Sequence, residues 1–286
     1  ALRRMHGSDA AIGGARAFYI GGIAATSNVE AGRLFDIPVT GTMAHSYVQA
    51  HRDEDAALRA FARAWPGTTL LVDTRDTLAG VRKVIRMAEE QGEAFDVNAI
   101  RIDSGDLGAL ARQARQLLNE AGLEQVRILV SGGLDEYRIR DLLAQQAPID
   151  GFGVGTRLGT GGKAPALDLA YKLVSYNGRD CIKTSPGKTL YPGAKQVFRQ
   201  HHNGRAQGDI LAGREENHPG QPLLTEVMRD GEITEYAGES LQTMRERASE
   251  QIRALPEPLQ APEVSSEAWP VTPSEALEQR RLRLSH

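Results

Sequence analysis

Five stretches of the sequence carry side chains able to grip an anion, move a proton or accept a phosphoryl group. In Arg101-Ile102-Asp103-Ser104-Gly105-Asp106 the cation and the first carboxylate stand two apart. In a strand they share a face, and charges so placed need each other or a ligand. One reading is an ion pair. The other gives Arg101 a bidentate grip on a substrate carboxylate, while Asp103 or Asp106 holds ribose hydroxyls or a magnesium ion carrying pyrophosphate. In Gly41-Thr42-Met43-Ala44-His45-Ser46, His45 is either a structural imidazole or a base or nucleophile able to take a phosphoryl group. Ser131-Gly132-Gly133-Leu134-Asp135 and Gly153-Val154-Gly155-Thr156 each put glycine between an apolar run and a helix. Such turns are tight connections or, as a pair, a phosphate grip at helix N-termini. Thr26-Ser27-Asn28, with Arg3 and Arg4, could orient a small polar ring or cap a helix. Lys183, Lys188 and Lys195 are surface charge or point charges facing pyrophosphate, and His201-His202 reads as solvent-exposed. His6, His51, His218 and His286 have no setting comparable to that of His45.

Composition narrows the classes. A formal net charge of -3 over 286 residues argues against a nucleic-acid binder that relies on a broad basic field. A single cysteine, Cys181, excludes an internal disulfide framework and a multi-cysteine zinc site, and fits a reducing, cytoplasmic setting. No apolar run approaches the roughly 18 residues of a membrane span, and no apolar h-region follows the first arginines. No Gly-x-x-x-x-Gly-Lys-Ser/Thr loop is present for a nucleotide. The chain opens without an initiator Met, inside what reads as a functional motif, so a fragment is expected.

Residues 38 to 156 supply the elements that must position this chemistry. Apolar runs at Pro38 to Met43, Thr69 to Asp73, Ala99 to Asp103, Val126 to Ser131 and Gly151 to Gly155 read as strands. Helical faces lie between them: Leu78, Val81, Ile85 and Ala88; then Leu107, Leu110, Ala114, Leu117 and Ala121; then Ile139, Leu142 and Leu143. Repeated strand–helix units predict a parallel sheet, open and doubly wound or part of a barrel. The strands end in polar or glycine-bearing turns, the end at which both architectures bind ligands. A second region, 168–286, follows the first, 1–167. Leu169 to Tyr176, Asp180 to Thr184 and Lys195 to Gln200 read as short antiparallel strands. Asn177-Gly178, Ser185-Pro186-Gly187 and Pro192-Gly193 are their turn signals. Glu239 to Ala254 reads as a charged surface helix, and the proline-bearing remainder as extended and peripheral.

Taken in order, these segments resemble the nicotinate phosphoribosyltransferases, matching the C-terminal two-thirds of such an enzyme. The resemblance rests on Leu2-Arg3-Arg4-Met5-His6-Gly7, Ala25-Thr26-Ser27-Asn28-Val29 and Gly41-Thr42-Met43-Ala44-His45-Ser46. It continues through Leu71-Val72-Asp73-Thr74, Arg101 to Leu107, Ser131 to Glu136 and Phe152 to Thr156. Tyr171-Lys172-Leu173-Val174 and Pro192-Gly193-Ala194-Lys195-Gln196-Val197 complete the series. Ala25 departs from it, standing where glycine is usual, which a negative φ would tolerate.

The resemblance implies an incomplete or irregular α/β barrel of the type II phosphoribosyltransferase kind, with an antiparallel layer from the C-terminal part. It implies synthesis of nicotinate mononucleotide from nicotinate and phosphoribosyl pyrophosphate, with magnesium and coupled ATP hydrolysis, in a homodimer. His45 matches the histidine that ATP phosphorylates, and Thr42 and Arg101 match nicotinate-binding positions. Ser27 stands where nicotinamide-using relatives have an aspartate that would repel a carboxylate, and Arg3 joins the substrate residues. Asp73 and Asp103 match residues near ribose and metal; Gly132, Gly133, Gly155 and Thr156 match the phosphate grip. The family's N-terminal segment, which supplies an aromatic ring stacked on nicotinate, has no counterpart here. The rivals are quinolinate phosphoribosyltransferase, expected to carry a richer inward cluster of Arg and Lys, and a truncated inactive homologue acting as a binding or regulatory subunit.

Overall fold

The computed structural model describes residues 2–162, 165–167, 169–185, 190–263 and 268–284. Lys188, His286 and part of the Ser185-Pro186-Gly187 turn lie outside them. The chain divides into two compact units: one of residues 1–19 and 23–166, the other of residues 20–22 and 167–286.

The first unit opens with helices α1 (Ser8–Ile20), α2 (Val29–Phe35), α3 (His45–Gln49) and α4 (Glu54–Ala64). Strand–helix units follow: β1 (Thr68–Leu71), α5 (Thr77–Gln91), β2 (Val97–Ile102), α6 (Leu107–Glu120), β3 (Arg127–Ser131), α7 (Glu136–Ala144), β4 (Gly151–Gly153) and the single turn α8 (Thr156–Gly159). The four strands form one parallel sheet in chain order, β1-β2-β3-β4, each crossover helix bringing the chain to the next strand. Leu70, Leu71, Ile100, Ile102, Ile128 and Val130 are fully buried, as continuous apolar runs in a covered parallel sheet should be. Val81, Val84, Met87, Ala111, Ala114 and Leu118 of α5 and α6 complete this core. Gly80 lets α5 press close, because a Cβ there would collide with the Val72 carbonyl.

The expected first strand, Pro38 to Met43, is absent. Among the described residues, 38–40 pair only with Thr26, through Thr26 N–H to the Pro38 carbonyl (2.9 Å) and Thr40 N–H to the Thr26 carbonyl (3.0 Å). Pro38 has no N–H to extend the ladder on one side, and on the other Asn28 gives its N–H to Thr26 Oγ1 and caps α2, so the pairing stops at one bridge.

In the second unit, β5 (Ser175–Tyr176) and β6 (Arg179–Asp180) form a hairpin shorter than the runs that suggested it. The main sheet, in order β12-β8-β7-β9, comprises β7 (Lys195–His202), β8 (Arg205–Gly213), β9 (Gln221–Pro222) and β12 (Val271–Pro273). A small hairpin, β10 (Met228–Arg229) with β11 (Glu232–Ile233), precedes α9 (Leu241–Ala254), which Ser240 caps, and α10 (Glu257–Gln260). The last helix is α11 (Glu275–Leu284). The tail is therefore not peripheral: β12 pairs in parallel with β8, and Leu277 of α11 is only 1% exposed. Across β7 and β8, Arg199 makes a two-pronged bond to Asp209 (2.9 and 3.0 Å), and Trp269 Nε1 donates to the same carboxylate at 2.8 Å. Burial pushes the Asp209 carboxyl up, but the Arg199 and Trp269 bonds outweigh it and hold the group below the usual carboxylate range. No helix among the described residues is long and apolar enough to cross a membrane.

Candidate active site

The turns after β1 and β2 follow one local rule. Each has two aspartates three residues apart: Asp73 and Asp76, then Asp103 and Asp106. The second of each pair is a helix cap. Asp76 accepts from Ala79 N–H at 2.7 Å and Asp106 from Ala109 N–H at 3.0 Å. Capping starts the crossover helix and leaves the first aspartate at the strand's carboxyl end. Asp106, expected at a metal, thus has one oxygen engaged in starting α6.

Asp73 is almost sealed, its side chain 1% exposed. Its Oδ2 accepts from the Asp103 N–H (2.9 Å) and from Ser104 Oγ (2.5 Å), while its Oδ1 is buried with no hydrogen-bond partner among the described residues. Asp103 Oδ1 accepts from Ser131 Oγ and lies 3.4 Å from Arg101 Nη2. Arg101 donates through Nη1 to Thr42 Oγ1, and its buried Nε has no acceptor among the described residues. His45 opens α3 with its ring 38% exposed. Nδ1 is 3.1 Å from Thr74 Oγ1, and Nε2 is 3.7 Å from Asp103 Oδ2 and 4.0 Å from Asp73 Oδ1. Those last separations exceed hydrogen-bond length, yet charge still interacts across them. Four segments distant in sequence therefore meet at the carboxyl ends of β1, β2 and β3.

Glycine permits the closest of these approaches. Gly132 has φ +96°, and a Cβ there would collide with the Asp103 carbonyl, so β3 can end against β2 only with glycine at this position. Gly133 is also left-handed, at φ +64°. Gly153 in β4 packs against Ser131. Gly155, at φ -134°, and Thr156 begin α8. Met5 fills the space above Gly159 in the same turn, which sets the 3-10 turn Leu2–Arg4 beside α8. Arg3 itself is exposed.

The Thr26-Ser27-Asn28 stretch is a cap: Asn28 Oδ1 accepts from Ala31 N–H, and Thr26 Oγ1 accepts from Asn28 N–H. Ser27 is exposed and follows Thr26, whose bridge partner Val39 stands three residues before Thr42. Ala25 is not among the residues with positive φ. In the other unit Lys183 and the pair His201-His202 are exposed, and Lys195 donates to the carbonyls of Tyr191 (2.8 Å) and Gly193 (2.7 Å). Burial pushes the Lys195 ammonium down, with Arg280 adding to the effect. No group of three or more His, Cys, Asp or Glu among the described residues could hold a metal by itself. A cavity of about 540 Å³ lined by Arg52, Arg59, Arg86 and Glu90 shares no residue with the cluster. Sequence reasoning gave no role to the hydroxyls Thr74, Ser104 and Ser131, although each lies inside a segment already singled out and each meets one charged or ionisable group. Their signal was a hydroxyl directly after, or level with, a strand-end acid.

Fold and cluster together define an α/β protein with an acid–imidazole–guanidinium cluster at the carboxyl ends of a parallel sheet, where such proteins bind their ligands. Comparison with known proteins is specific. The nicotinate phosphoribosyltransferase (NAPRTase) family matches residues 2–200, and the chain belongs to that family. A nicotinate phosphoribosyltransferase of Mycobacterium tuberculosis is 51% identical over 284 residues, which is 99% of this chain and 61% of that protein. The Bacillus subtilis enzyme of the same name is 47% identical over 219 residues, covering 73% of this chain and 45% of that protein. A crystal structure of human nicotinic acid phosphoribosyltransferase aligns with TM-score 0.83 at 25% identity, covering 99% of this chain and 69% of that one. The chain thus spans about three-fifths or less of the length of these two bacterial relatives.

Proposed function

We propose that this protein joins nicotinate to phosphoribosyl pyrophosphate, forming nicotinate mononucleotide and pyrophosphate for NAD salvage, with ATP hydrolysis coupled to the reaction. The observation that carries the reading is the convergence of His45, Asp73, Arg101 and Asp103 in a chain of this family. Its relatives bear the name of that activity.

In the reaction the pyridine nitrogen bonds to the anomeric carbon. The bond from that carbon to pyrophosphate breaks, and its electron pair leaves on pyrophosphate. Nicotinate's nitrogen already has a free lone pair, so the chain needs no strong base and acts by positioning and charge. Arg101, held by Thr42 and with Nε unbonded, suits the nicotinate carboxylate. Ser27 keeps the neighbouring strip neutral. Asp73 and Asp103 set negative charge where positive charge grows on the ribose, and the turns at Gly132, Gly133, Gly155 and Thr156 offer backbone N–H groups to phosphate. His45 takes the terminal phosphoryl group of ATP, the bond to the departing ADP breaking as the bond to the ring nitrogen forms, and water later removes it as phosphate. The orphaned Asp73 Oδ1 beside Asp103 is the hard-oxygen setting that magnesium favours. These two residues would hold the ion, which would neutralise charge on pyrophosphate. The four-stranded parallel row fits the wall of an incomplete barrel, and a homodimer fits the family.

The test is pyrophosphate release by the complete polypeptide, offered nicotinate, nicotinamide or quinolinate, with and without ATP. Release with nicotinate alone among the three, stimulated by ATP, is expected. Preference for quinolinate would replace this reading with its closest rival, and no release with any substrate would support a non-catalytic homologue.

A further inference from the structure

Asp103 Oδ1 stands between two donors. Among the described residues, Ser131 Oγ and Arg101 Nη2 are the side-chain groups that meet it, and they do so unequally. Ser131 makes a full hydrogen bond to it. Arg101 stays 3.4 Å away, beyond the roughly 2.7–2.9 Å of a charge-assisted bond. The strands set this arrangement. Arg101 lies opposite Leu129 and Ile102 opposite Val130, so Ser131 comes level with Asp103 on the face that Arg101 shares. Leu129 offers Arg101 no acceptor, and Gly153, the partner of Ser131 on β4, brings no side chain to compete for the hydroxyl. Gly132, close against the Asp103 carbonyl, fixes the approach of the two strand ends. The Asp103 N–H is held by Asp73, so the part of Asp103 free to turn is its carboxylate.

We propose that Ser131 is a positioning residue for nicotinate recognition: its hydroxyl keeps the Asp103 carboxylate off Arg101 and leaves the guanidinium open to a substrate carboxylate. Without that hydroxyl, Oδ1 loses its donor, and the cation two residues back becomes its partner. A guanidinium closed on an internal acid cannot offer the same fork to a second carboxylate. The effect on nicotinate rests on the reading of Arg101 given above; the placement of Asp103 by Ser131 does not.

The test compares wild type, Ser131→Ala and Ser131→Thr as the complete polypeptide. In Ser131→Ala the KM for nicotinate should rise about tenfold or more, the worth of one charge-assisted bond. The KM for phosphoribosyl pyrophosphate should stay within about twofold, less than one hydrogen bond is worth. Threonine keeps the hydroxyl beside Gly153, which has no side chain to crowd it, so Ser131→Thr should hold both constants near wild type. In Asp103→Asn no charged acid remains to close on Arg101. Adding Ser131→Ala there should change the nicotinate KM by no more than about twofold. A crystal structure of Ser131→Ala should show Arg101 and Asp103 joined at about 2.8 Å. An unchanged separation of 3.4 Å would overturn the proposal. So would a loss that falls on phosphoribosyl pyrophosphate, an equal loss in Ser131→Thr, or a full further loss in the Asp103→Asn background. If the pair closes and the nicotinate KM does not move, the nicotinate reading of Arg101 fails while the hold of Ser131 on Asp103 stands.

Discussion

Asp73 and Asp103 end neighbouring parallel strands, and the backbone N–H of one donates to the side-chain Oδ2 of the other at 2.9 Å. The site is thereby part of the sheet: moving either acid disturbs the strand end beneath it. Replacing Asp73 by alanine leaves the Asp103 N–H and the Ser104 hydroxyl without their acceptor, and should destabilise the protein by about 1–3 kcal/mol in urea unfolding. Asp73→Asn keeps an acceptor and the shape. It should retain most stability while lowering turnover by about a hundredfold, an electrostatic loss. Equal destabilisation by both variants would mean that charge, not hydrogen bonding, holds this strand end.

Arg101→Lys retains a positive charge but loses the planar fork. The KM for nicotinate should rise about 10- to 100-fold, the loss of one charge-assisted pair, with a smaller change in kcat. Steady-state kinetics with nicotinate varied and phosphoribosyl pyrophosphate saturating would show this. A KM within about threefold of wild type, less than one hydrogen bond is worth, would remove Arg101 from the nicotinate site.

What the sequence made legible here was local. The strand–helix rhythm from Thr69 to Gly155 follows from residue periods, and the sheet has the parallel pairing that rhythm requires. Pro38 to Met43 looked like a strand because apolar content says nothing about available partners; its ladder ends at Thr26. Strand β8 was overlooked although Asn203-Gly204, with φ +49° and +76°, is the turn that joins it to β7. The burial of α11 depends on a pairing between residues about sixty apart, β12 with β8, which no local pattern encodes. The same holds for Thr74, Ser104 and Ser131. Each is an ordinary strand-end or turn hydroxyl until the fold sets it against His45, Asp73 or Asp103.

In the second unit, Asp209 ties acid stability to a single strand pair. Its carboxyl lies below the usual range in the folded state, so the folded form binds fewer protons than the unfolded one as pH falls. Its contribution is therefore full above the unfolded value near about 4 and is lost as pH drops through the folded value. Glu216 is also held low: burial raises it, but bonds from His218, Gly213 N–H and Ser274 outweigh that, and it adds to the same window. Asp209→Asn should lower stability by about 2–4 kcal/mol at pH 7 and flatten its decline in acid. Trp269, bonded to Asp209, reports this by fluorescence in a Trp65→Phe background, since the chain has two tryptophans. An unchanged acid profile in the variant would rule Asp209 out as its source.

The most direct check on the site is Asp103→Asn in the complete polypeptide, because Asp103 touches Arg101 and Ser131 and faces His45. Initial rates of nicotinate mononucleotide formation should drop by about a hundredfold or more, as expected when a charge facing the reacting centre is lost. The melting temperature should stay within about 4 °C of wild type, the shift from roughly 1 kcal/mol. A variant that folds equally well and makes product at close to the wild-type rate would show that the chemistry lies elsewhere in the protein.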